Sequence, residues 1–252
     1  MRTLTFAAAA LAAASLCVGA QAAGVPAYVA AAVADPGRPA ADTARDADRK
    51  PTEVLVFSGV KPGDKVGEFI PGGGYYTRLL SKIVGPSGHV TGLWPDAMMK
   101  TPPPMIAANA AIAPNVSAVG YGASIGEPGS LDVVWTSENY HDFHNLFRGA
   151  PAGTPPPDMG AFNKAVYAAL KPGGVYLIED HASAAGTGIT TTSTLHRIDP
   201  AAVKSEVEAA GFKLVGESDL LKNPADPHTA MVFDASIKGH TDKMLLKFKK
   251  PG

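Results

Sequence analysis

Cysteine is all but missing from this chain: the single Cys17 lies within its first twenty residues. Disulfides and thiolate metal sites are therefore excluded beyond that point, and an apolar core has to hold the fold. An excess of charge is missing too, since 22 basic residues face 23 acidic ones for a formal net charge of −1. No basic stripe suits a phosphate backbone, so no nucleic-acid partner is expected. A convincing membrane span is also lacking, because the one long apolar run, residues 4–18, is alanine-rich and shorter than the roughly 20 residues a bilayer requires.

That run carries a different meaning. Arg2 precedes it, and Ala20-Gln21-Ala22 after it has the small-x-small form of a signal-peptidase site. We read residues 1–22 as an export signal, which places the protein in the periplasm without stable membrane insertion after cleavage. Residues 23–50, rich in Ala, Pro, Asp and Arg, read as a helical arm. The first sustained apolar cluster, Glu53-Val-Leu-Val-Phe-Ser-Gly-Val60, follows Pro51, so one α/β domain is expected over 51–252 with its core starting there.

Short apolar strands alternate with helix-period stretches along that domain. Strands are expected over 66–70, 89–93, 116–120, 131–136, 175–179, 212–217 and 243–249, with helices over 75–84, 105–111, 159–170 and 200–210. Asp199 and Pro200 mark a helix start and Gly211 its end. Such alternation gives a parallel sheet covered on both faces. Lys247, Lys249 and Lys250 alternate with Leu246 and Phe248 as on the solvent face of an edge strand.

The richest stretch is Glu68-Phe-Ile-Pro-Gly-Gly-Gly74, between a strand and a helix. Glycines there let the backbone turn sharply and let a ligand reach main-chain N–H groups at a helix start. This turn, the strand Leu131-Asp-Val-Val-Trp-Thr136, the phrase Leu170-Lys-Pro-Gly-Gly174 before an apolar strand, and the closing strand pair come in a fixed order. Together they resemble the class I S-adenosylmethionine-dependent methyltransferases from about residue 51 onward, and most of all an exported bacterial group of that family. The resemblance implies a Rossmann-like fold: a mainly parallel seven-stranded sheet with an antiparallel last strand and helices on both faces. It implies S-adenosylmethionine as cofactor and a small organic molecule as methyl acceptor. It places Glu68, Pro71, Gly72, Gly73, Gly74 and Tyr75 at the cofactor loop and Ser124 near the adenine; Asn139 is also assigned to cofactor binding, and Asn139 and Tyr140, after the fourth strand, are the candidates to shape the acceptor pocket.

Two positions depart from the family pattern. Ile70 stands where the first glycine is usual, and a β-branched side chain is not expected to take positive φ. Trp94 stands where an acid normally grips the ribose, leaving Asp96 as the substitute acceptor.

Ligands of parallel α/β sheets lie at the carboxyl ends of the strands. The segments after the fourth and fifth strands are polar: Ser137-Glu-Asn-Tyr-His-Asp-Phe-His-Asn145 and Glu179-Asp-His181, with Leu195-His-Arg197 further on. A hydroxyl acceptor has to lose a proton, and histidine suits that transfer. His141 is the first candidate base and His181 the second, with Asp142 or Asp180 orienting either ring. His141 and His144, three residues apart, share one helical face on which Asp142, Asp180 or His181 would complete a metal site, but cysteine and an H-E-x-x-H pattern are lacking and no metal is assigned. Two alternatives remain. One is a degenerate methyltransferase fold that binds another small molecule or an envelope partner, suggested by export and Trp94. The other is a nicotinamide oxidoreductase, for which a third glycine and a downstream acid are wanting.

Overall fold

The computed structural model describes residues 24–100, 103–122, 125–146, 153–155 and 157–252; the leader at 1–22 lies outside the described residues. Helices α1 (Ala27–Val33), α2 (Ala40–Thr43), α3 (Asp46–Arg49) and α4 (Pro51–Ser58) lead into strand β1 (Lys65–Phe69) and helix α5 (Tyr75–Val84). Strand β2 (His89–Pro95), helices α6 (Asp96–Met99) and α7 (Pro104–Ala110), and strands β3 (Val116–Tyr121) and β4 (Leu131–Ser137) follow. A 3-10 turn over His141–His144 precedes α8 (Met159–Ala169), β5 (Leu170–His181), α9 (Pro200–Ala209), β6 (Lys213–Ser218) and β7 (Lys243–Lys249).

The seven strands form one sheet in the order β3-β2-β1-β4-β5-β7-β6. All pairs from β3 to β5 are parallel, and β7 runs antiparallel to both its neighbours. The chain builds the sheet outward from β1 in one direction and from β4 in the other. The crevice between the carboxyl ends of β1 and β4 is thus the topological switch point, where such sheets bind ligands.

Local sequence explains the elements that frame this crevice. β4 is apolar from Val133 to Trp135 without alternation, as a strand buried on both faces must be. Leu79, Leu80, Ile83 and Val84 give α5 one apolar stripe, and Gly74 (φ 82°) and Gly85 (φ 65°) bound it. Asp199 caps α9 by accepting the Ala201 N–H at 2.8 Å, with Pro200 in its first turn. One face of the sheet packs Val66, Val90, Trp135 and Leu245 with Leu55, Leu79 and Ile83; the other packs Phe69, Val134, Tyr176 and Phe248 with Val166 and Val203.

The structure revises two expectations here. The core begins before Pro51, because Val29 and Ala32 of α1 are buried in the same cluster as α5. The C-terminal lysines do not mark an edge, since β7 lies between β5 and β6. Lys247 Nζ instead donates to Phe57 O at 2.7 Å, and Lys250 Nζ to Tyr167 O and Leu170 O at 2.8 and 2.7 Å, so two ammonium groups satisfy carbonyls at element ends.

Candidate active site

Past β1 the backbone turns left-handed at Ile70 (φ 42°), Gly72 (φ 56°) and Gly74 (φ 82°). Ile70 therefore does take positive φ, against expectation. Its N–H is held by Leu93 O at 2.9 Å and its side chain packs on the core, which offset a strain of about 1–3 kcal/mol. The three glycines differ in their surroundings. A Cβ at Gly72 or Gly73 would have no atom within 4 Å, whereas one at Gly74 would strike the Cδ1 of Ile112 and lie 3.1 Å from Asn109 Nδ2. The first two leave an open floor; the third lets α7 approach.

Beneath this floor Glu68 is buried and its Oε2 accepts the Thr77 hydroxyl at 2.7 Å, while Thr77 accepts from Asn109 Nδ2 at 3.0 Å. Burial pushes the carboxyl up to about 7 from an ordinary 4.5, against the pull of the Thr77 bond. The folded protein then keeps a proton that the unfolded chain releases. This contribution to stability is fully present below the unfolded pKa and lost as pH rises through the folded one, by roughly 3 kcal/mol. Urea unfolding at pH 5 and pH 8 should show that decline in the wild type and lose most of it in Glu68→Gln; an unchanged slope would mean that Glu68 ionises freely when folded.

Tyr75, also assigned to the loop, has its hydroxyl taken by the arm: it donates to Asp46 Oδ1 at 2.6 Å, and Asp46 is held in turn by Arg38. The guanidinium carbons of Arg45 and Arg49 lie 5.3 and 4.8 Å from its ring centre.

At the end of β2, Trp94 is fully buried and its Nε1–H has no partner among the described residues. Asp96 is exposed at the start of α6, and its carboxylate lies so close over Gly120 and Gly122 that a Cβ at either would collide with it. Tyr121, ending β3, has its hydroxyl buried with no partner among the described residues, and burial followed by the Asp96 charge raises its pKa. Asn139 spans the switch point, its Nδ2 donating to Phe69 O at 2.8 Å, while its Oδ1 is buried with no partner among the described residues. Ser124 lies outside the described residues. Tyr140 is no part of an acceptor pocket: it is fully buried, donating to Glu206 and accepting from Asn163, both at 2.9 Å.

The ends of β4 and β5 do bring the expected histidines together. Asp180, fully buried, accepts the backbone N–H of His141 at 2.7 Å and meets its ring Nδ1 at 2.8 Å. The His141 Nε2 faces Asp142 Oδ1 at 3.3 Å and His196 Nδ1 at 3.2 Å. Burial works to lower the His141 pKa, yet the Asp180 and Asp142 carboxylates raise it to about 10. The His181 ring centre is 5.9 Å from that of His141, and its Nδ1 meets Thr241 Oγ1 at 2.7 Å. Burial lowers the His181 pKa to about 4, against the attraction of Glu138 and Asp180. His144 does not join His141; it stands 3.2 Å from Glu206 and edge-on to Tyr140.

His181 lines a cavity of about 280 Å³ with Arg49, Glu138, Phe233, Thr241 and Lys243. Glu138, at φ 58°, pairs with Arg49 and with Lys243 Nζ at 2.5 Å. Burial works to raise its pKa, but Lys243 and Arg49 hold the carboxyl well below its usual range. Arg49 also lies over Tyr75 and Tyr76, so one side chain connects the first turn of α5 to the cavity.

Sequence reasoning left Arg49, Glu138, Lys243 and His196 out of the assigned site. Glu138 carried a readable signal, as the residue directly after β4. His196 and Lys243 reach the site through pairings distant in sequence, the bridge Ala182↔Ile198 and the β5–β7 ladder.

No family model and no curated protein matches the sequence. Solved structures do resemble the fold. The complex between the Haloferax volcanii Trm112 methyltransferase activator and a methyltransferase matches with a TM-score of 0.56 at 17% identity, over 90% of this chain and 98% of that one. An S-adenosylmethionine-dependent methyltransferase from Mesorhizobium loti matches at 0.53 and 14% identity, over 81% and 99%. One from Aquifex aeolicus matches at 0.50 and 17%, over 79% and 88%. The chain has the class I methyltransferase fold. Two of these solved structures are S-adenosylmethionine-dependent methyltransferases. A Cβ at Gly72 or Gly73 would meet nothing within 4 Å among the described residues, and buried polar atoms of Trp94, Tyr121 and Asn139 have no partner among them.

Proposed function

We propose that this protein is an exported S-adenosylmethionine-dependent methyltransferase that methylates a hydroxyl oxygen of a small organic acceptor. The observation that carries the reading is the open glycine floor at the switch point, together with buried polar atoms of Trp94, Tyr121 and Asn139 that have no partner among the described residues. Pro71, Gly72 and Gly73 would hold the methionine part of the cofactor, with Glu68 below. Asp96 would meet the ribose in place of the acid that Trp94 replaces, and Tyr121 and Asn139 would complete the lining. When bound, the cofactor supplies a methyl carbon activated by its sulfonium.

The chain's own residues then position the acceptor and manage its proton. Of the two histidines, the geometry favours His181 as the base, since its ring lines the cavity and among the described residues only its Nδ1 has a hydrogen-bond partner. His141 has both ring nitrogens engaged and serves with Asp142 and Asp180 to shape the cavity's neighbour. The cavity suits a small molecule.

A second reading keeps the fold without the reaction. Trp94 is core rather than a ribose ligand, which favours a binder of some other molecule. Calorimetric titration with S-adenosylmethionine and S-adenosylhomocysteine separates the two. Gly73→Val is the sharpest control, because it fills the open floor at a residue without positive φ. Micromolar binding is expected, weakened roughly a hundredfold, about 2.8 kcal/mol, in Gly73→Val. Absence of binding at millimolar ligand would sink the methyltransferase reading.

A further inference from the structure

Three potential ligand atoms meet beside the cavity. His141 Nε2, Asp142 Oδ1 and His196 Nδ1 are separated pairwise by 3.3, 3.2 and 3.2 Å. A tetrahedral ion with bonds of about 2.0–2.1 Å to nitrogen and oxygen has ligand-to-ligand edges of about 3.3 Å. The triangle therefore has the dimensions of one face of such a tetrahedron.

The surroundings favour an ion. Asp180 holds the Nδ1 side of His141, which turns its Nε2 toward Asp142 and His196. A carboxylate behind a histidine is the usual outer support of a metal-bound imidazole, fixing both its tautomer and its orientation. This carboxylate is fully buried and anchored by the backbone N–H groups of His141 and His181, so the ring is not free to turn. The opposite side is accessible: the side chains of Asp142 and His196 are 35% and 30% exposed, which leaves an entry route. The His196 ring rests 5.1 Å from Phe233, a cavity residue.

We propose that His141, Asp142 and His196 bind one divalent transition-metal ion of the zinc type, with Asp180 positioning His141 and a fourth coordination position left open to an oxygen ligand. This reverses the expectation of no metal, and it replaces the His141 and His144 pairing weighed from sequence by His141 and His196. Two histidines and one carboxylate suit zinc or cobalt better than calcium or magnesium, which prefer oxygen throughout. The site does not depend on methyl transfer.

The test uses the full chain, stripped with chelator, reloaded separately with Zn²⁺ and Co²⁺ and dialysed. Metal analysis should give one equivalent of either ion, and the Co²⁺ form should show the intense visible absorption of a tetrahedral site. His196→Ala removes a partly exposed loop side chain and should weaken binding at least a hundredfold while the protein stays folded. Asp142→Asn should weaken it too, and His240→Ala, an exposed histidine elsewhere, should not. Metal retained in His196→Ala, or lost equally in His240→Ala, would overturn the site, as would a wild-type protein that keeps less than a tenth of an equivalent. Because the readout is metal content, a failed cofactor titration leaves the inference standing.

Discussion

Asp226→Ala is expected to destabilise the protein by about 3–5 kcal/mol, because it leaves the guanidinium of Arg197 buried without its countercharge. Both side chains are fully enclosed, and the pair is two-pronged at 2.7 and 3.2 Å. Arg197 also donates to Ala182 O and Ala230 O at 3.0 and 3.1 Å, so it ties three separate segments together. Asp226 accepts the backbone N–H groups of Asp242 and His228 at 2.7 and 3.0 Å, which lose their acceptor in the same substitution. At this chain length such a loss corresponds to a fall in Tm of roughly 10–15 °C. The exposed pair Lys204–Glu217 is the contrast: Lys204→Ala should change stability by less than about 1 kcal/mol. Urea midpoints of both variants decide the matter. A loss below about 1 kcal/mol in Asp226→Ala would show that Arg197 reaches water.

Gly74→Val should be the most damaging change in the glycine turn, lowering stability by roughly 3–5 kcal/mol. Gly74 sits at φ 82°, where a β-branched residue is strained by about 1–3 kcal/mol, and its new side chain would run into Ile112 and Asn109 for a similar overpacking cost. The end of Ile112 is flexible and absorbs part of the collision. Gly73→Val, one residue earlier, should leave the urea midpoint nearly unchanged while weakening cofactor binding roughly a hundredfold. Equal stability of the two variants would refute the division of this turn into a floor and a spacer.

How much of this was legible in the sequence depends on the range of the interaction. All seven strands, and the four longer helices after the glycine turn or later, could be placed within a few residues, because apolar period and punctuation by Gly, Pro and Asp are local. The Pro200 helix start and the glycine turn are examples. The insertion of β7 between β5 and β6 could not be read from its Leu and Lys alternation, since a strand's neighbours are set by distant segments. The core role of α1 was hidden by the composition of Ala27-Tyr-Val-Ala-Ala-Ala-Val33, which looks like a spacer until Val29 and Ala32 meet α5. His141, Asp142 and His181 could be placed at one end of the sheet because the first two lie in the short segment after β4 and the third ends β5. His196 was not, because a long loop returns it to His141 and its backbone is left-handed there.

Ile70 has a thermodynamic consequence for whatever enters the crevice. Three glycines in a row would ordinarily make a loop that samples many conformations and must be ordered by its ligand. Here the turn starts from a side chain anchored in the core, and an isoleucine gives the unfolded chain fewer conformations to lose than a glycine would. The loop is therefore set before the ligand arrives, and association is spared the entropic penalty of arranging it.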